Sequence, residues 1–130
     1  MNIEDARILV VDDDAVMRQF VLNLLARLGV QQTQEATDGQ TGLTAAASFR
    51  PDLVLSDIHM HPVGGLELVR RLRAHSSAEL RKVPVLMMTA DSRPDTLKES
   101  VPLGIAGYIV KPPQLSSLKT KLEHALKFRH

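Results

Sequence analysis

Cysteine and tryptophan are absent from the 130 residues, and tyrosine occurs once. Without thiols there is neither a disulfide nor a thiolate metal site, and a reducing, cytoplasmic setting is expected. Aromatic residues make up only 3% of the chain, so the core falls to aliphatic side chains and no row of base-stacking platforms is on offer. An excess of one charge is missing too: 16 basic residues face 15 acidic ones, a net charge of +1. That balance carries no signature of direct nucleic-acid or membrane binding. No apolar run approaches the ~18 residues of a membrane span, and the N-terminus lacks the basic-then-apolar order of a secretion signal. No internal repeat, linker or low-complexity stretch divides the chain. A single domain over 1–130, with its core at about 7–127, is therefore expected.

What is present is an alternation of short apolar runs with helix-period segments. "ARILVVDDD" predicts a strand at about 7–12. From Ala15 to Leu28 the residues Met17, Phe20, Val21, Leu24, Leu25 and Leu28 recur at the spacing of one helical face. Asp14 suits the cap of that helix and Gly29 its stop. "QQTQEA" reads as a polar edge strand, and "TDG" turns the chain into a helix over about 40–49 that Pro51 closes. A strand at 53–57, a loop carrying Gly64 and Gly65, and a helix at 66–74 follow. "HSSAELRK" reads as surface loop, "VPVLMMT" as a strand over 83–89, and Pro94 as the start of a short helix fading near Pro102. "GYIV" (107–110) gives the fifth strand, and Leu115, Leu118, Leu122, Ala125 and Leu126 stripe a last helix.

Five strands, each followed by a helix, predict an α/β fold with a parallel sheet covered on both faces. Right-handed crossovers then bring every strand's carboxyl end to one edge, where open α/β sheets bind their ligands. The strand ends carry Asp12 and Asp13, Asp57, Thr89, and Lys111. Each has an ordinary explanation: an acidic helix start, a turn former, a strand-end hydroxyl, a solvated lysine. Their coincidence at corresponding positions favours a site. Carboxylates ending adjacent strands lie about 5 Å apart and repel by about 3 kcal/mol at an effective dielectric near 20. Such a cluster binds a cation or protonates. Hard oxygen ligands with room for water suit Mg²⁺ beside a phosphate, with Lys111 balancing a second anionic group. The chemistry this points to is phosphoryl transfer to a carboxylate.

The ordered segments "ILVVDDD", "PDLVLSDIHM", "GGLEL", "VLMMTA" and "GYIVKPP" together resemble the receiver domain of two-component response regulators, chemotaxis-regulator-like, from about Arg7 to Lys127. The resemblance implies a flavodoxin-like, doubly wound sheet in strand order 2-1-3-4-5. It implies that Asp57 is the phosphoacceptor, taking a phosphoryl group from a sensor histidine kinase or phosphotransfer protein. By the same resemblance Asp13 and the backbone carbonyl of His59 would ligate Mg²⁺ together with Asp57, and Asp12 would help through water. Thr89 and Lys111 would hold the phosphoryl oxygens, Lys111-Pro112 would be a cis bond, and Tyr108 would be the aromatic switch that answers Thr89. The altered face would be the family's fourth helix, fifth strand and fifth helix, read by a downstream target or a fused output domain.

Some residues depart from the family pattern. Met60 is followed by His61, with Pro62 one place later than usual, and Gly64 stands where an acid is common. His59 and Asp91 lie two residues past Asp57 and Thr89, at positions that tune dephosphorylation in this family. Three other readings stay open on the residues alone. His59 and His61 beside the acids could serve a transition metal. Asp12 and Asp14 have the spacing of an aspartyl-phosphate hydrolase, though 130 residues leave no room for its cap. A degenerate receiver acting as a scaffold would not need the full set of acids, Thr89 and Lys111. No DNA-binding or catalytic module follows the last helix, so a stand-alone receiver or part of a longer regulator is expected.

Overall fold

The computed structural model describes residues 1–90 and 98–129. Five strands, β1 (Arg7–Val11), β2 (Gln32–Ala36), β3 (Leu53–Asp57), β4 (Val85–Thr89) and β5 (Gly107–Val110), form one parallel sheet in the order β2-β1-β3-β4-β5. The helices are α1 (Ala15–Arg27), α2 (Gly39–Phe49), α3 (Gly65–Arg73), α4 (Ala78–Lys82) and α5 (Leu115–Leu126). Single 3-10 turns lie at Ile3–Asp5 and Val101–Leu103.

Strand alternation sorts the core into two layers. Ile8, Val10, Leu53, Leu55, Leu86 and Met88 face α1 and α5. Leu9, Val11, Val54, Val85 and Met87 face α2, α3 and α4. The three central strands β1, β3 and β4 are thus covered on both sides, as their unbroken apolar runs require. On β2 the first four residues are exposed, which suits its place at an edge.

Local chemistry sets the boundaries. Asp14 caps α1 by accepting from the backbone N–H groups of Val16 and Met17, and Gly29 ends it at φ +92°. Asp38 and Thr41 form a reciprocal capping box that starts α2 at Gly39. Three expectations need correction. The segment read as surface loop contains α4, because Ser77 caps it, Glu79 and the pair Arg81, Lys82 match its dipole, and Leu80 is buried. Val83 is the C-cap of that helix, so β4 begins at Val85 rather than at residue 83. Phe20 also leaves the face assigned to it: Val21, Leu24 and Leu25 are buried on α1, while Phe20 is 42% exposed. The helix expected from Pro94 lies outside the described residues except at 98–100, which are helical; Asp91 is outside them too. Pro102 sits inside the 3-10 turn that follows, and Gly104 closes it at φ +66°.

Candidate functional site

The ladder registers bring the strand ends together. Val11 pairs with Ser56, Asp57 with Met88, and Thr89 with Val110. Beyond the paired residues the backbone continues the alignment: Asp12 N–H donates to Ala36 O, Ile58 N–H to Met88 O, and Lys111 N–H to Thr89 O at 2.8 Å. The residues one step past β1, at the end of β3, at the end of β4 and one step past β5 therefore share one edge.

Asp12 is fully buried, Asp57 is 8% exposed, and Asp13 turns outward to solvent. One carboxylate oxygen from each of the three lies within 4.8 Å of the others, the one group of three or more such ligands among the described residues. From the end of β5, Lys111 reaches across β4 to the same point: its Nζ donates to Asp12 Oδ2 at 2.7 Å and sits 3.2 Å from Asp57 Oδ2. Asp12 Oδ1 accepts from Asp14 N–H at 2.9 Å, so both oxygens of the buried acid are hydrogen-bonded. Arg18 fixes the turn from outside, donating to Asp12 O at 2.8 Å while pairing with Glu35.

Burial pushes the Asp57 carboxyl above its ordinary value; Lys111 works against that and the charge of Asp12 reinforces it. For Lys111 burial alone would favour the neutral amine, but the hydrogen bond to Asp12 and the charges of Asp57 and Asp12 prevail, and its pKa is raised. The site thus holds three acids against one cation, and a buried acid that burial makes costly to ionise. All the convergent donors are oxygens, which fits a hard divalent ion such as Mg²⁺ rather than a soft one.

The loop after β3 is pressed against the carboxyl end of the strand. Gly65 N–H donates to Ile58 O at 2.9 Å, and a Cβ on Gly65 would lie 2.1 Å from Asp57 O. Ile58 and Met60 turn inward and are buried, while His59 and His61 are exposed. Neither histidine joins the carboxylate group; they line a separate cavity of about 410 Å³ together with Glu67 and Glu99. Thr89 is buried beside the acids at 1% exposure. Tyr108, opposite Met87 on β5, is half-buried and its hydroxyl is hydrogen-bonded to that of Ser100. Both His61-Pro62 and Lys111-Pro112 are cis.

Asp12, Asp13, Asp57, Thr89 and Lys111 are therefore gathered as the strand pattern required. Residues that sequence reasoning passed over are Arg18, Ser100 and the close approach of Gly65. The last had a visible signal in the Gly64-Gly65 pair. The other two depend on partners that no local motif discloses.

Comparison with known proteins agrees with this geometry. Residues 8–123 match the family model of the response regulator receiver domain. The chain is 41% identical over 120 residues to chemotaxis protein CheY-3 of Vibrio cholerae, covering 92% of this chain and 91% of that protein. It is 40% identical over 117 residues to chemotaxis protein CheY of Pseudomonas aeruginosa, covering 90% and 93%. The solved structure of the chemotaxis response regulator CheY4 of Vibrio cholerae superposes with a TM-score of 0.83 at 31% identity, covering 93% of this chain and 98% of that one.

Proposed function

Because the chain belongs to the response regulator receiver family, a family of signalling modules, we propose that it accepts a phosphoryl group on Asp57 from a phosphohistidine donor. In that transfer the N–P bond of the donor breaks and a bond from an Asp57 carboxylate oxygen to phosphorus forms. The imidazole leaves with the electron pair and takes up a proton.

The observation that carries this reading is the placement of Lys111 Nζ between Asp12 Oδ2 at 2.7 Å and Asp57 Oδ2 at 3.2 Å. A cation there neutralises acids at rest and is already positioned for phosphoryl oxygens once they arrive. Thr89, buried at the end of the adjoining strand, offers a hydroxyl to the same oxygens. Asp57 must be ionised to attack, and because burial raises its pKa that ionised form is held at the cost of folded-state stability.

Mg²⁺ would be held by Asp13 and Asp57 and by the His59 carbonyl. Asp12, whose oxygens are already engaged, would act through water. Bound there, the ion supplies positive charge to offset the phosphoryl oxygens and the acids together. A histidine kinase or phosphotransfer protein is the donor class that this chemistry asks for. A downstream protein, or an output domain, would read the altered surface at β5 and α5 beside the helical residues 98–100.

Treatment with acetyl phosphate and Mg²⁺ tests the assignment by intact mass. One added phosphoryl group, sensitive to hydroxylamine, is expected on the parent. Asp57→Asn should take up none, and Lys111→Ala should take it up slowly. Full labelling of the asparagine variant would overturn the acceptor assignment. A parent that never labels would favour a scaffold role.

A further inference from the structure

The single tyrosine of the chain is held by a partner whose own position is fixed. Ser100 is fully buried and lies at the N-cap of the 3-10 turn Val101–Leu103. The far end of that turn is clamped to α3: Arg73 donates to Leu103 O at 3.0 Å, and from the same guanidinium to Val83 O at 2.9 Å. Ala106 N–H then donates to Val85 O at 2.8 Å and sets the register in which β5 begins. On either side of these anchors in the chain, the hydroxyls of Ser100 and Tyr108 meet in a hydrogen bond. The ring itself is half-buried, packed on the layer that contains Met87, and it borders the groove of about 890 Å³ that Lys111 and Phe20 also line.

A half-buried tyrosine on an edge strand has a choice of rotamers, and a hydroxyl partner favours the one in which it is met. We propose that Ser100 is the positioning residue for Tyr108: its hydroxyl holds the ring in the orientation seen here, and its release is a step in the switching of β5. The inference rests on the reading that Tyr108 answers phosphorylation at Asp57. Any orientation of Tyr108 favoured by the phosphorylated state must break the bond to Ser100 or carry Ser100 along. Carrying it along means pulling the 3-10 turn off Arg73. Breaking one hydroxyl–hydroxyl bond is the smaller change, so Ser100 opposes the switch by the worth of that bond. Removing the serine hydroxyl should shift the two-state population by roughly three- to ten-fold, the span of a neutral hydrogen bond's net contribution. Coupling is reciprocal, so phosphoryl uptake at limiting donor should rise with it.

Because Tyr108 is the one tyrosine among 130 residues, 3-fluorotyrosine labelling puts a single ¹⁹F resonance on the ring. The measurement compares the parent, Ser100→Ala and Ser100→Thr, each without phosphodonor and then with acetyl phosphate and Mg²⁺. Without donor, Ser100→Ala should move toward the position the parent takes after phosphorylation. Ser100→Thr, which keeps the hydroxyl, should stay at the parent position. In unlabelled protein, Ser100→Ala and Tyr108→Phe should raise the phosphorylated fraction alike, and the double variant should add nothing. An alanine resonance that coincides with the parent's, or a threonine resonance that follows alanine's, would overturn the proposal. So would additive effects of the two single changes. The donor-free comparison stands apart from the function reading. If Asp57 labels by mass and the parent resonance stays still, the switch role of Tyr108 fails, and with it the release step proposed here. A donor-free shift in Ser100→Ala would still establish the hold.

Discussion

Asp57→Asn should melt higher than the parent at neutral pH in chelator, although it removes the proposed phosphoacceptor. At 3.2 Å, Lys111 attracts the Asp57 carboxylate by about 5 kcal/mol at an effective dielectric near 20. Asp12 and Asp13, each within 4.8 Å, repel it by at least about 3.5 kcal/mol apiece on the same scale. Asp13 is exposed, so solvent screens its share to roughly half, and repulsion nearly cancels attraction. What remains is the cost of keeping a charge at the end of a buried strand. Asparagine keeps the shape, still accepts from Lys111 and carries no charge. We expect a gain of about 1.5 kcal/mol, or ~5 °C in Tm for a chain of this size.

The pH dependence fixes the cause. Burial raises the folded pKa of Asp57 above its ordinary value of 3.8. The folded state then binds this proton more tightly than the unfolded chain does, so ionised Asp57 costs stability at every pH above its folded value. The cost fades as pH falls from that value toward 3.8, and the difference between variant and parent should fade with it. Thermal unfolding of both proteins from pH 7.5 to pH 4, with and without Mg²⁺, is the assay. Millimolar Mg²⁺ should raise the parent more than the variant and narrow the gap. A variant that melts lower than the parent in chelator, or a gain that holds steady across the pH range, would refute the reasoning.

Gly65→Ala should cost several kcal/mol or displace the carboxyl end of β3, because its Cβ would lie 2.1 Å from Asp57 O and backbone offers no give; denaturant unfolding and the rate of acetyl phosphate labelling check it. His59→Asn should change the dephosphorylation rate several-fold while leaving Mg²⁺ affinity nearly unchanged, since the side chain is exposed and stands apart from the carboxylate group; loss of the phosphoryl group followed by mass, with Mg²⁺ titrated separately, checks both. Charge reversal at Lys119 or Lys121 should weaken binding of a target protein more than reversal at Lys98, measured by titration of the phosphorylated form; all three lysines are exposed, so a fold defect would not confuse the comparison.

The five strands and the residues at their ends were legible because both follow from period and punctuation, while the order of the strands came from the family resemblance. Unbroken runs at Arg7–Val11, Leu53–Asp57 and Val85–Thr89 are what doubly covered parallel strands look like, and the chemistry begins where the runs stop. The polar run at Gln32–Ala36 declared an edge for the same reason. Misread elements were those with too little pattern to detect. α4 buries one side chain, Leu80, and a single apolar residue has no period. Phe20 matched the helical spacing, but it lies one flank away from Val21, Leu24 and Leu25, and an aromatic there is indistinguishable from core until the sheet is placed. The bond from Ser100 to Tyr108 spans a 3-10 turn with Pro102 inside it and Gly104 at its end, so its length in sequence says nothing of its closeness in space.

The position of the acids within the sheet explains how a cluster that opposes folding is tolerated. β1 and β3, which carry them, are neighbours at the middle of the sheet, and their side chains from Ile8 to Val11 and from Leu53 to Leu55 are fully buried. Burying one such aliphatic side chain contributes ~1.5–3 kcal/mol, so the two strands outweigh electrostatic strain of a few kcal/mol at their tips. The same rigidity keeps the carboxylates from relaxing apart: Val11 is held opposite Ser56, and Ile58 N–H is tied to Met88 O. With Lys111 offsetting most of the repulsion, the cost that remains is that of a charge held at the end of a buried strand, where a flexible loop would have let it reach solvent. Moving the acids to an edge strand such as β2, with four of its five residues exposed, would let them splay. The central location is therefore a condition of the chemistry as much as of the fold.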